Sequence, residues 1–265
     1  MATTLVHLQA TALDPAQLGQ LATLDLGAQA LLDGPHGGRI VGRHEGEGGA
    51  GLLRAPRAPD QNLLPDDVDL DVVREVPVFW VPASRFAWEP SRSTVTELLH
   101  ARDRREHTVL DLDWRPMFWD SPAAATEQIA PILDHVTVAI GNRDECEIAV
   151  GTRDPDEAAD RLLERGVSIA VVKLGGDGVM VATADGIRER IPPFRVDVVC
   201  GLGAGDAFGG AFCHGLLSGW DLVRTVEYGN AAGAIVAGRL TCADAMPTVD
   251  EVDDFISLHP IGATS

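Results

Sequence analysis

Between about residue 66 and residue 173 the chain alternates short apolar runs with segments of helical period, and this alternation constrains the fold more than any other feature. Val78–Val81, Val109–Leu112, Val136–Ile140 and Ile169–Lys173 read as strands, while 91–102, opened by Ser91, 122–133, 143–150 and 155–165 read as helices. Strands that alternate with helices build right-handed βαβ units. The expectation is therefore an α/β fold, a mostly parallel sheet with helices on both faces, whose ligands sit at the carboxyl ends of the strands.

Past Lys173 the spacing shortens. Gly175 to Gly178, the run Val179–Ala182 and the Asp185-Gly186 turn suggest a hairpin, and Val196–Val199 leads into a glycine turn at 201–205. Two helices rich in Ala and Gly follow, at about 205–218 and 222–238, able to pack closely. No internal repeat is visible.

The N-terminal part is different in kind. No aromatic residue precedes Phe79, and residues 34–51 carry eight glycines without a sustained period of 2 or 3.6. Such a stretch buries too little apolar surface to offset the entropy of ordering it. Residues 1–53 are accordingly set apart as a segment of doubtful structure, and 54–265 as the core.

The 265 residues include 21 Lys+Arg against 40 Asp+Glu, a net charge of −19, with 45% hydrophobic residues. That composition supports a packed core, and the negative surface disfavours nucleic acid and anionic membrane as partners. Neither a spanning apolar stretch nor a secretory leader is apparent, so a cytoplasmic location is expected. Cys146, Cys200, Cys213 and Cys242 are widely spaced without C-x-x-C, which suggests buried free thiols instead of disulfides or zinc.

The most specific local signal is the run Gly201-Leu202-Gly203-Ala204-Gly205-Asp206-Ala207-Phe208 between a strand and an apolar helix. Small residues there allow a tight turn that presents backbone N–H groups at a helix N-terminus, where the dipole favours an anion. Asp206 would repel a phosphate as a ligand. It is suited to accept a proton from an attacking hydroxyl while Gly203, Ala204 and Gly205 stabilise the transferred group. On this run alone, a simple helix cap by Asp206 remains open.

Gly203-Ala204-Gly205-Asp206 followed by a small-residue helix resembles the C-terminal signature of the ribokinase/PfkB-like carbohydrate kinases. The resemblance extends over about residues 54–250. Within that family the runs Val78–Val81, His107–Trp119, Gly201–Gly215 and Ala243–Thr248 are similar to those of the bacterial 5-dehydro-2-deoxygluconokinases of myo-inositol breakdown. The resemblance implies a ribokinase-like fold, ATP and Mg²⁺ as cofactors, and a sugar acid, 5-dehydro-2-deoxy-D-gluconate, as the small-molecule partner.

It also implies roles residue by residue. Asp206 matches the catalytic base, with Gly203, Ala204 and Gly205 as the anion hole. Asn142 and Glu145 match the N-x-x-E motif that organises the metal through water, which suits a hard cation that keeps its hydration shell. A helix cap is open for that pair too, and both readings can hold together. Lys173, Gly175 and Gly178 match the nucleotide loop, with a plain hairpin turn as the alternative. Asn230 matches the segment beside the adenine, its alternative partner being a neighbouring carbonyl. Asp111, Asp113 and Arg115 match the substrate run at the end of a strand, where an Asp–Arg pair holding the loop is the alternative. The histidines suggest no metal cluster.

Family members begin with a strand, an acidic sugar-binding residue and a small β lid, none of which residues 1–53 resemble, and Cys200 stands where Asn or Asp is usual. One expectation is that this leader is out-of-frame sequence joined to a kinase core that lacks its lid, which weakens any lid-mediated homodimer. The leading expectation for function is ATP-dependent phosphorylation of a sugar-acid hydroxyl. The alternatives are a remnant that only binds nucleotide and a kinase of another sugar.

Overall fold

A computed structural model describes residues 21–23, 62–240 and 246–260. Its centre is one seven-stranded sheet in sequential order: β1 (Leu21–Thr23), β2 (Val78–Pro82), β3 (Thr108–Asp111), β4 (Val138–Asn142), β5 (Ile169–Lys173), β6 (Val179–Thr183) and β7 (Arg188–Ile191). Strands β1 to β5 pair in parallel, and β6 and β7 add antiparallel. The sheet is mostly parallel, as the alternating pattern implies.

Between the strands run α1 (Leu70–Glu75), α2 (Ser91–Arg102), α3 (Pro122–Ile129), α4 (Arg143–Val150) and α5 (Pro155–Glu164). After β7 come α6 (Ala204–Leu217), α7 (Leu222–Ala237) and α8 (Val249–Leu258). The side chains of each strand alternate between two buried faces. Phe79, Val81, Leu110, Ala139, Ala170 and Val172 pack with residues of α1 to α5. Their neighbours Val78, Trp80, Val109, Val138 and Val171 pack against Phe208 and Phe212 of α6. The opposite side of α6 meets α7 and α8 through Ala207, Ala211, Ala231, Ala232 and Val252. A helix wedged between a sheet and another helix must be apolar nearly all round, which is why α6 after its first turn carries Ala, Gly, Phe, Cys and Leu with a single histidine, the buried His214.

Helix α2 has the expected bounds, 91–102; Ser91 is its first helical residue, and its Oγ accepts from the backbone N–H of Leu63 at 2.9 Å. Other boundaries differ from the sequence reading for local reasons. The helix expected over 122–133 stops being α-helical at Ile129 and continues as a 3₁₀ segment, Ala130–His135, because Pro131 has no N–H for the α-helical ladder. Strand β4 runs to Asn142, two residues beyond the expected end. No strand forms over 196–199.

Strand β1 joins the sheet from within the segment that composition sets apart. The rest of 1–53, and with it the expectation of a missing lid, lies outside the described residues. Cys146 and Cys213 are buried free thiols, Cys200 is partly exposed, and Cys242 falls outside the described residues. Among the described residues no helix is long and apolar enough to cross a membrane.

Candidate active site

The carboxyl ends of the parallel strands bring the predicted residues to one side of the sheet. Asp111 ends β3, Asn142 ends β4, and Lys173 ends β5 directly opposite Asn142 in register. The first turn of α6 lies beside them: a Cβ built on Gly205 would stand 3.5 Å from the Lys173 Nζ.

Gly203 is the N-cap of α6 with φ 86°, a left-handed backbone that glycine adopts without strain. It has no side chain with which to cap the helix. The first turn, carrying Ala204, Gly205 and Asp206, therefore presents its amide end to the space beside Lys173, an arrangement suited to an anion.

That space is a cavity of about 620 Å³ lined by Lys173, Gly175, Gly178, Phe208 and Asn230 among others. Gly178 is fixed as glycine: its φ is 92°, and a Cβ there would fall 2.1 Å from the Ile191 carbonyl oxygen. Gly175 and Gly176 open onto the cavity and have nothing within reach of a Cβ. Asn230 uses its amide to donate to the Pro192 carbonyl at 2.8 Å, so it holds the cavity wall by a neighbouring carbonyl. Phe208, which floors the cavity, carries no polar atom and so escapes a search for reactive residues, although it follows Asp206 by two positions.

Asn142 and Glu145 form a complete capping box. Asn142 Oδ1 accepts from the backbone of Asp144 at 2.8 Å and of Glu145 at 3.0 Å, and Glu145 Oε2 accepts from the Asn142 N–H at 2.7 Å. Asp113 pairs with Arg115 at 2.7 Å, so the loop-holding pair forms, and its backbone N–H approaches Asp111 Oδ1 at 3.5 Å. Trp114 and Trp119 of the same loop pack on the helical side of the core. Arg143, at the start of α4, reaches across to Asp177 in the glycine turn at 3.0 Å, a link the sequence reading did not single out.

The charges are concentrated. Lys173 Nζ stands 4.0 Å from Asp111 Oδ1 and 4.0 Å from Glu145 Oε2. Burial raises the Asp111 carboxyl to about 7; the Lys173 ammonium opposes that rise, and Asp113, Glu145 and Asp206 add to it. Burial alone would lower the Lys173 ammonium, but Glu145, Asp111, Asp113 and Asp206 together hold it above its ordinary value. Asp206 thus belongs to the same electrostatic group as the strand-end residues.

No set of three His, Cys, Asp or Glu converges on a metal position among the described residues. Asn142 Oδ1 is already doubly bonded and one Glu145 oxygen is engaged by the cap. This donor set would suit a Mg²⁺ ion that keeps its waters, which Asn142 and Glu145 would hold through that water shell and which would supply positive charge beside a phosphate.

The profile described as pfkB family carbohydrate kinase matches residues 77–249. Curated relatives named 5-dehydro-2-deoxygluconokinase include one from Clostridium perfringens, 31% identical over 202 residues, covering 74% of this chain and 60% of the relative. Another, from Geobacillus kaustophilus, is 31% identical over 219 residues, covering 81% of this chain and 65% of the relative. The chain thus spans between 60% and 65% of the length of these two relatives. The structure is also similar to a crystal structure of aminoimidazole riboside kinase from Salmonella enterica complexed with aminoimidazole riboside and an ATP analog: TM-score 0.67, 26% identity, covering 77% of this chain and 70% of that one. The glycine turn, the strand-end acidic and amide residues and the cavity all lie within the matched span, and the chain belongs to the pfkB family of carbohydrate kinases.

Proposed function

We propose that the protein transfers the γ-phosphoryl group of ATP to a hydroxyl of a sugar acid, 5-dehydro-2-deoxy-D-gluconate. The observation that carries this reading is the placement of Asp206 in the uncapped first turn of α6, within the charge cluster of Lys173 and Asp111. A carboxylate in that turn can accept the proton of an attacking hydroxyl, and the amides of 203–205 can hold the charge that develops on the transferred group.

The cavity beside the glycine turn would take the nucleotide, with its phosphates toward Lys173 and Gly205 and its base toward the wall held by Asn230. Asp111, Asp113 and Arg115 would meet the sugar acid, with the half-exposed Arg115 supplying the positive charge for its carboxylate. When bound, Mg²⁺ neutralises phosphate charge, and Asn142 and Glu145 would hold its water shell. The unpaired Cys146, Cys200 and Cys213 and a need for ATP suit the cytoplasm.

The substrate is taken from the names of the relatives at 31% identity. A coupled assay for ADP release, run with 5-dehydro-2-deoxy-D-gluconate, fructose and ribose on protein shown to be folded, tests it. Turnover confined to the sugar acid supports the reading. Turnover with another sugar moves the specificity, and ATP binding without turnover on any of them makes the protein a nucleotide binder.

A further inference from the structure

Lys173 is the one lysine among 265 residues, and it stands where two requirements of the site meet. On one side are Asp111 and Glu145, whose side chains are each only 10% exposed. On the other is the first turn of α6, with the Gly205 Cβ position 3.5 Å from the ammonium. Two arginines that could share the burden are engaged elsewhere, Arg115 with Asp113 and Arg143 with Asp177.

The two carboxylate contacts are equal in length and, at 4.0 Å, longer than hydrogen bonds. The ammonium is therefore held between them by charge and not by directed bonds, and it keeps donors for another acceptor. Its flexible four-carbon stem makes a small shift toward Gly205 inexpensive.

We propose that Lys173 is the internal counter-ion of the site, a positioning residue whose ammonium takes the place between Asp111 and Glu145 that a divalent cation would otherwise occupy, and yields it when phosphate draws the ammonium toward Gly205. The inference deepens the proposed phosphoryl transfer at the same site. It makes the order of filling specific: the empty site resists a free cation, and nucleotide opens it to one.

The test uses Mn²⁺ as the probe, with binding to the nucleotide-free full chain read by electron paramagnetic resonance. Lys173→Met leaves the two carboxylates without their counter-charge and is expected to bind Mn²⁺ about tenfold more tightly than the unaltered protein or more, and Lys173→Arg to bind it no more tightly. Adding Glu145→Gln to Lys173→Met should cancel the gain. Mn²⁺ affinity unchanged or weakened in Lys173→Met overturns the proposal.

A second measurement needs no variant. Reductive methylation with carbon-13-labelled formaldehyde marks a single ε-amine, and its NMR signal should stay in place when Mg²⁺ is added without nucleotide and move when MgATP is added; a signal that moves with Mg²⁺ alone contradicts the proposal. Calorimetry of ATP binding to the same protein reports separately on the kinase reading. Failure to bind nucleotide would remove that reading while the Mn²⁺ comparison still decides on the counter-ion.

Discussion

Asn142 and Glu145 cap one another across the first turn of α4: the Asn142 side chain accepts from the Glu145 backbone at 3.0 Å while the Glu145 carboxylate accepts from the Asn142 backbone at 2.7 Å. The same bonds that start the helix fix the orientation of both polar groups at the end of β4. Asn142→Ala should therefore cost about 1 kcal/mol in urea unfolding, with Asn142→Asp recovering most of it because it keeps the acceptor. Equal losses in both variants would show that the cap is not what holds this corner.

Gly178 is predicted to be intolerant of any side chain. Its φ of 92° and the 2.1 Å approach of the Ile191 carbonyl to a Cβ leave no space that a side-chain adjustment could open. Gly178→Ala should lose more than about 1 kcal/mol of stability and weaken ATP binding, since the same turn walls the cavity. Gly176→Ala, with nothing within 4 Å of its Cβ, is the control and should fold normally.

Asp111 should make stability depend on pH. Its carboxyl titrates near 7 in the folded protein, chiefly through burial, and so lies above its unfolded value. A group raised in this way contributes stability that is full below the unfolded pKa of about 4 and is lost as pH rises through the folded one. Asp111→Asn should accordingly gain in Tm relative to the unaltered, metal-free protein between about pH 5 and about pH 8. A difference that stays constant or shrinks over that range would refute the assignment.

Much of this architecture was legible in the sequence. Strand β5 and helix α4 fall where periodicity places them, because their apolar residues face a sheet with a fixed repeat. What was not legible has specific causes. The Ser91 hydroxyl accepts from the backbone of Leu63, 28 residues away, a partner that no local pattern shows. The short helix α1 and the terminal α8 bury only two and one residues respectively, too few for a visible stripe. At the site, Asp206 and the glycine turn stood out because phosphate chemistry needs those residue types in sequence. The convergence of Asp111, Glu145 and Lys173 did not, since it arises from the side-by-side pairing of β3, β4 and β5, which brings Asp111, the first turn of α4 after β4, and Lys173 together. On sequence grounds Asn230 has either the nucleotide or a carbonyl as its partner; its amide nitrogen donates to the Pro192 carbonyl, and the residue also lines the cavity.

The central claim is that Asp206 is the base of a phosphoryl transfer to a sugar acid. The most direct measurement is ADP release with saturating MgATP and 5-dehydro-2-deoxy-D-gluconate, comparing the unaltered protein with Asp206→Asn, alongside ATP binding by calorimetry for both. The account predicts turnover by the unaltered protein, a loss of roughly 10²- to 10⁴-fold in kcat for the variant, and little change in ATP affinity. Turnover that survives in Asp206→Asn within a few-fold of the unaltered protein would contradict it.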